Sequence, residues 1–321
     1  MSRLSNFFPL VQNENMKIYR RPRNWIMAGF IVLALILFTV LMHISSPVES
    51  GSTADWKPQL THQMEENKKL LADPEVAEFV KKRFEDEIKV GQYQLEHNIN
   101  PYEQTAWSTV KELSLVISLV SIFTIVVAAD MIAAEFTWGT VKLLLIRPAS
   151  RLRILISKYT ATLIFALFLT LITFIVSFII GAATNGFTGF STPEIYVGAD
   201  GAVHERLMIL SVLKTYGFSL VSTLMYVTFA FMVSSAFRSS SMAIALSLVG
   251  MLVGNTVVSI FQKYEWSKYI LFANTDLKSY FDGTPFRPEM TLSFSITILA
   301  IYFVVFHIVA WLMFTKRDVA A

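Results

Sequence analysis

Leu113–Ala129 reads LSLVISLVSIFTIVVAA, and no charged residue interrupts it. Apolar character continues outward to about residues 107 and 133. A helix rises about 1.5 Å per residue, so this run is long enough to cross a hydrocarbon layer roughly 30 Å thick. Five further runs are predominantly apolar: Trp25–Ile44, within a first span placed at 25–45, then 154–184, 207–235, 241–262 and 291–314. The run at 154–184 is long enough to tilt or to project beyond the bilayer. Near the outer end of the next one, Lys214 can snorkel to the interface.

Composition agrees with this pattern. The chain of 321 residues is 54% hydrophobic and 16% charged, with mean hydropathy +0.53. A soluble domain carries about 25% charged residues. Net charge is +3, which gives no sign of a nucleic-acid partner. With no Cys, there is no disulfide, thiolate nucleophile or Cys-based zinc site. The 24 residues before the first span and the sequence His43-Ile44-Ser45-Ser46-Pro47 after it argue for an uncleaved anchor rather than a signal peptide.

The distribution of basic residues orients the spans. Arg3, Lys17, Arg20, Arg21 and Arg23 precede span one; Lys142, Arg147, Arg151 and Arg153 lie between spans two and three. Arg238 lies between spans four and five, and Lys316 and Arg317 follow span six. These segments alternate as six spans require, which puts both termini in the cytoplasm of a plasma-membrane protein. On the other side, 46–106 holds 12 acidic and 7 basic residues. The expected fold is therefore an all-α membrane protein of six transmembrane helices, divided into 1–24, 25–45, 46–106 and 107–321.

Three segments outside the spans carry their own patterns. In 1–24, Leu4, Phe7, Phe8, Val11, Ile18 and Tyr19 fall on one helical face, which predicts an amphipathic interface helix. In 46–106, Asp73-Pro74 predicts a helix start, followed by a stripe at Val76, Phe79, Val80, Phe84, Ile88 and Leu95. Pairs Glu78–Lys82 and Glu85–Lys89 support that helix, and a shorter one from Gln59 to Leu71 would complete an extracellular helical hairpin. This insertion reads as a structural cap or as a lid that meets substrate. Residues 185–206, rich in Gly, Thr and Ser, read as an irregular loop. In 263–290, Tyr264, Trp266, Tyr269, Phe272, Tyr280, Phe281 and Phe286 predict a short interfacial or re-entrant hairpin.

The segment from Glu135 to Pro148 is too short and too polar at its ends to span. Trp138, Val141, Leu144 and Leu145 share one face, and Pro148 stops the helix. Either lipid or a protein partner must cover that surface. The pattern Glu135-x-x-x-Gly139-Thr140, an apolar stretch, Arg147-Pro148 and a basic run into a long span resembles the ABC-2 type permeases of ATP-binding-cassette exporters. Those permeases have six spans, a basic amphipathic N-terminal helix, a coupling helix between spans two and three, and a re-entrant hairpin before span six. Each feature has a counterpart here, so the resemblance covers nearly the whole chain, although a long outer insertion after span one occurs in only part of that family.

The resemblance implies a coupling helix at 135–150 that engages a separate ATPase through Glu135, Trp138, Gly139, Thr140, Val141, Leu144, Leu145 and Arg147. It implies two ATPase copies and a second permease chain, identical or homologous. The chain has no GxxxxGK[ST] phosphate loop, so ATP and Mg would be bound by the partner. No cofactor is expected in this chain.

Polar residues within the spans are few. Lys158 is expected to pair with Asp130 or Glu135, as a structural pair or as an ion-coupling element. His307 reads as a packing residue and Asn255 as an interhelical hydrogen-bonding group. Gly250-x-x-x-Gly254 permits close packing against a neighbouring span or a second protomer. HExxH is absent, and no Ser/His/Asp set stands out. The largely apolar midplane suits a lipid, amphipathic peptide or hydrophobic drug better than an inorganic ion. The competing readings are a sensory or immunity protein that binds peptide through its outer helices, a membrane-embedded enzyme and an ion-coupled carrier.

Overall fold

A computed structural model describes residues 7–45, 56–72, 78–140, 150–187, 192–198, 200–237, 239–281 and 285–316. Helices α1 (Phe7–Tyr19) and α2 (Pro22–Ser45) are followed by α3 (Trp56–Leu71) and α4 (Glu78–Glu96). Next come α5 (Ala106–Leu113), a 3₁₀ turn at Ser114–Val116, α6 (Ile117–Thr137) and α7 (Arg151–Asn185). Strands β1 (Pro193–Val197) and β2 (Val203–Leu207) precede α8 (Met208–Ala236), α9 (Ser240–Ile260) and α10 (Leu292–Lys316).

Six helical stretches are long and apolar enough to cross a membrane: Pro22–Ile44, Ala106–Thr137, Arg151–Asn185, Met208–Ala236, Ser240–Ile260 and Leu292–Thr315. The protein is a multi-pass membrane protein, and these stretches agree closely with the long apolar runs in the sequence. The second opens at a capping box, in which Thr105 accepts from the Ser108 amide at 3.1 Å while Ser108 accepts from the Thr105 amide at 2.8 Å.

The second and fourth spans form the centre. Their apolar windows are 67% and 56% buried, against 17% for the first, fifth and sixth. The outer three therefore present apolar faces such as Leu33 and Leu37, Leu252 and Val253, and Val304 and Ile308. Hydroxyl groups cross-link the centre. Ser121 and Thr223 are 2.7 Å apart, Tyr159 and Thr228 are 2.8 Å apart, and Ser234 accepts from the Ile132 and Ala133 amides at 3.1 Å. Each such bond between membrane helices contributes about 0.6 kcal/mol, so together they register the helices more than they hold them.

At one end of the bundle, α3 and α4 pack as the expected hairpin around Trp56, Leu60, Met64 and Ile88. Val76 lies outside the described residues, as do the Asp73-Pro74 start and the side chains of Phe79 and Val80. Glu87 takes Arg83 at 3.0 Å and Asn67 at 3.0 Å, while Lys89 donates to the Gly201 carbonyl at 3.3 Å instead of pairing with Glu85. One loop expectation is corrected at this end. Residues 185–206 are not wholly irregular: β1 and β2 form an antiparallel ribbon that continues to 207, with Glu194 opposite Arg206. The 263–290 segment is a string of 3₁₀ turns at Glu265–Tyr269, Leu271–Asn274 and Leu277–Tyr280, with 282–284 outside the described residues. Leu271 and Leu277 are buried against α8 and α10, while Tyr264, Trp266 and Tyr269 stay exposed.

The Gly250-x-x-x-Gly254 pair packs within the chain. A Cβ on Gly250 would lie 2.6 Å from the Phe229 ring of α8, and one on Gly254 would run into the Phe272 ring. Asn255 is exposed, with its side chain interacting with Tyr226 of α8. His307 sits as a packing residue, with Nδ1 2.8 Å from the Phe303 carbonyl and its ring edge-on to Tyr159.

Candidate functional site

The opposite end of the bundle gathers seven charged side chains into ion pairs, and local structure explains how. Pro22 opens α2 directly after α1 ends, which forces a sharp corner. Two side chains then satisfy the terminal carbonyls of α1. Asn24 Nδ2 donates to Ile18 O at 2.6 Å, and Trp25 Nε1 donates to Tyr19 O at 2.8 Å. The corner lays α1 across the start of α7. On that face Val11, Glu14 and Ile18 are all buried, so a carboxylate sits inside the apolar stripe.

Lys158, on α7, is 1% exposed and meets that carboxylate. Its Nζ is 2.8 Å from Glu14 and 2.8 Å from Glu135 at the last turn of α6. Lys17 closes the square, 2.8 Å from Glu14 and 3.2 Å from Glu135. Asp130, one turn deeper on α6, accepts from both Arg21 and Arg23. Four cations and three carboxylates thus bind α1, α2, α6 and α7 into one joint. Burial alone would raise the Glu14 carboxyl, but Lys158 and Lys17 outweigh it and hold the group below its ordinary value. A buried ion of this kind costs several kcal/mol without a partner, so removing one member is far more damaging than neutralising all of them.

Of the two expected partners of Lys158, Asp130 or Glu135, the structure shows Glu135, while Asp130 pairs with the two arginines. Glu14 was missed by the sequence reading. Its position three residues after Val11 and four before Ile18 was the available signal.

The Glu135-x-x-x-Gly139-Thr140 pattern has a structural account. Glu135 belongs to the span helix, which runs to Thr137; the expected short helix does not begin at residue 135. Gly139 takes φ +68°, a left-handed conformation that suits Gly and ends the helix. Thr140 Oγ1 turns back to donate to Glu135, and Trp138 is 63% exposed with the Arg21 guanidinium 4.8 Å from its ring centre. Val141, Leu144, Leu145 and Arg147 lie outside the described residues, as does the 141–149 part of the expected coupling helix. The chain resumes at Ser150, which caps α7, and Arg151 donates to the Thr315 carbonyl of α10 at 2.7 Å. Thr137 accepts from the Ser240 amide of α9 at 3.3 Å. The short connection therefore emerges from a platform tied to five spans.

A cavity of about 490 Å³ opens in this platform between α1, the first turn of α2, and the ends of α6 and α7. A second, of about 560 Å³, lies at the other end between α3, α4 and the β-ribbon. Its floor is Glu194, which accepts from Lys111 of α5 and from Arg206 at 2.5 Å. Burial raises the Glu194 carboxyl, yet Arg206 and Lys111 prevail and hold it at about 2. Among the described residues, no group of three or more His, Asp or Glu could hold a metal ion.

A membrane-embedded bundle with a charged platform at one end and helical and β-hairpins at the other defines the class of protein. The family follows from comparison: residues 78–320 match the model "Protein of unknown function (DUF2705)", and the chain belongs to that family. It is 42% identical over 315 residues to the uncharacterized protein YhcI of Bacillus subtilis (strain 168), covering 97% of this chain and 99% of that one. It is also 31% identical over 204 residues to the uncharacterized membrane protein YdbK of the same strain, covering 63% of this chain and 78% of that one. Asp130, Glu135 and Lys158 fall inside the family match, whereas α1, with Glu14 and Lys17, precedes it.

Proposed function

We propose that the chain is the membrane-spanning permease subunit of an ATP-driven exporter, with α1 and both termini on the cytoplasmic side of the plasma membrane. One observation carries this reading. Glu135, at the root of the connection between spans two and three, is locked to α1 through Lys17 and to span three through Lys158. A push on that connection is delivered to three elements at once instead of being lost in a slack loop. Exposed Trp138 at the mouth of the connection supports a covering partner.

The engine in this reading is a separate ATPase subunit, in two copies, that holds ATP and Mg. A second permease chain, identical or homologous, completes the unit. Exposed apolar faces on the first, fifth and sixth spans leave room for lipid and for that second chain. Closure of the ATPases would press the connections at 135–150 and switch a cavity between inner and outer access. The cargo is a hydrophobic or amphipathic molecule, a peptide, lipid or drug, consistent with core polarity that consists mainly of mutually bonded hydroxyls.

The test is purification of the tagged chain from native membranes in mild detergent, followed by sequencing of what remains bound. A co-purifying polypeptide with a phosphate-binding loop, whose ATP hydrolysis falls when Trp138 and Thr140 are substituted, supports the reading. A chain that retains no such polypeptide refutes it.

A second reading, a sensor that binds peptide through the outer helices, draws on the 560 Å³ cavity beside Tyr102 and Tyr196. In that case, deletion of 59–97 would abolish peptide binding and ATP would be irrelevant.

A further inference from the structure

The platform carries more positive charge than its own carboxylates can neutralise. Lys17 and Lys158 serve Glu14 and Glu135, and Arg21 and Arg23 share Asp130. Arg20 remains: it lines the 490 Å³ cavity, is exposed, and has no ion-pair partner among the described residues. Arg23 Nε is buried with no hydrogen-bond partner.

A second observation is independent of charge. Asn24 is only 2% exposed and lines the same cavity, yet its Oδ1 has no donor. Its Nδ2 is already committed to Ile18 O at 2.6 Å, so the amide orientation is fixed and the acceptor stays open. A buried acceptor left unpaired costs about 1–3 kcal/mol, so the site is short of one donor. Its position in the first turn of α2 adds the positive end of a helix dipole to the field of the arginines.

The cavity also has an apolar side. Ile18, Val127 and Met131 form an apolar wall of the cavity. Beyond Asn24, α2 continues into exposed Trp25, Ile26 and Phe30. A ligand that satisfies all of this has a phosphate for Arg20 and Arg21, a hydroxyl donor for Asn24 Oδ1, and hydrocarbon to lie along α2.

We propose that this cavity is a binding site for an anionic phospholipid with a hydroxyl-bearing headgroup, of the phosphatidylglycerol type. The lipid adds a negative charge to the joint that ties α1 to the spans, and so clamps α1 against the bundle. The site stands whether or not the chain exports anything, because every group in it belongs to this chain.

The experiment uses full-length protein, delipidated in detergent, with retained lipid counted by native mass spectrometry. Three probes are compared: phosphatidylglycerol, phosphatidylcholine and soluble glycerol phosphate. Phosphatidylglycerol is expected to be retained over phosphatidylcholine. Arg20→Ala is expected to weaken that retention about fivefold, as for loss of one basic side chain beside an anionic headgroup, and Arg20→Glu more. Arg20 is exposed and has no ion-pair partner among the described residues, so neither variant should impair folding. Equal retention of phosphatidylcholine, or no effect of the Arg20 variants, overturns the site. Tight binding of glycerol phosphate alone makes the ligand a soluble phosphate and overturns the lipid assignment.

Discussion

Replacing Lys158 by Met removes the cation at the centre of the platform and leaves two carboxylates facing each other across a buried space. The stem is roughly conserved in volume, so little of the effect should come from a cavity. Breaking a buried pair by removing one partner costs about 3–5 kcal/mol, because the remaining charge has neither water nor a counter-ion. Here Glu14 and Glu135 would retain Lys17, which is 39% exposed and sits at 2.8 and 3.2 Å. That partial compensation places the expected loss near the lower bound, about 3 kcal/mol. The diagnostic comparison is the triple variant Lys158→Met, Glu14→Gln, Glu135→Gln. With all three charges gone, little penalty remains, and most of the lost stability should return. Unfolding free energies from SDS titration in mixed micelles would report both values. A Lys158→Met protein within about 0.5 kcal/mol of the parent, the range of an ordinary surface substitution, would refute the argument. So would a triple variant as unstable as the single one.

Other outcomes follow from the same structure. Asp130→Asn leaves Arg21 and Arg23 sharing a neutral amide; it should cost about 2–3 kcal/mol and increase hydrogen exchange at the α1–α2 corner. Gly254→Ala should cost about 1–3 kcal/mol by overpacking Phe272, and Phe272→Leu in the same chain should recover part of it in a thermal melt. The β-ribbon gives a pH test. Glu194 has a folded value of about 2 against an ordinary 4.5, so its contribution is complete above pH 4.5 and is lost as pH falls toward 2. Protease susceptibility of the 193–207 ribbon should rise through that window in the parent, and Glu194→Gln should abolish the dependence.

The spans were legible because a bilayer imposes a simple rule, a long apolar run with few charges, and Leu113–Ala129 carries none. The β-ribbon was not. Its apolar alternation is only two positions long on each five-residue strand, Ile195 and Val197 on β1 and Val203 and Leu207 on β2, while the other face carries the partnered Glu194, Tyr196, His204 and Arg206. The turn signal was Gly198 and Gly201, where Gly201 takes φ +75° and donates to the Gly198 carbonyl. The site was half legible. Glu135 and Lys158 stood out as charges at span ends, but which carboxylate Lys158 chose depended on where α1 lay, and that depended on a corner set by Asn24 and Trp25. A stripe read for its apolar members alone conceals a Glu placed among them.

The claim on which the account turns is that the connection leaving Trp138 is gripped by a nucleotide-hydrolysing partner. The chain has no Cys, so a single introduced one is unique. Trp138→Cys, treated with a short bifunctional crosslinker in native membranes, should yield an adduct with a polypeptide that binds ATP. Tyr264→Cys, at the opposite end of the bundle, should yield none. If Trp138→Cys captures only lipid or detergent while the protein remains active in its host, the mechanical role of this connection is wrong.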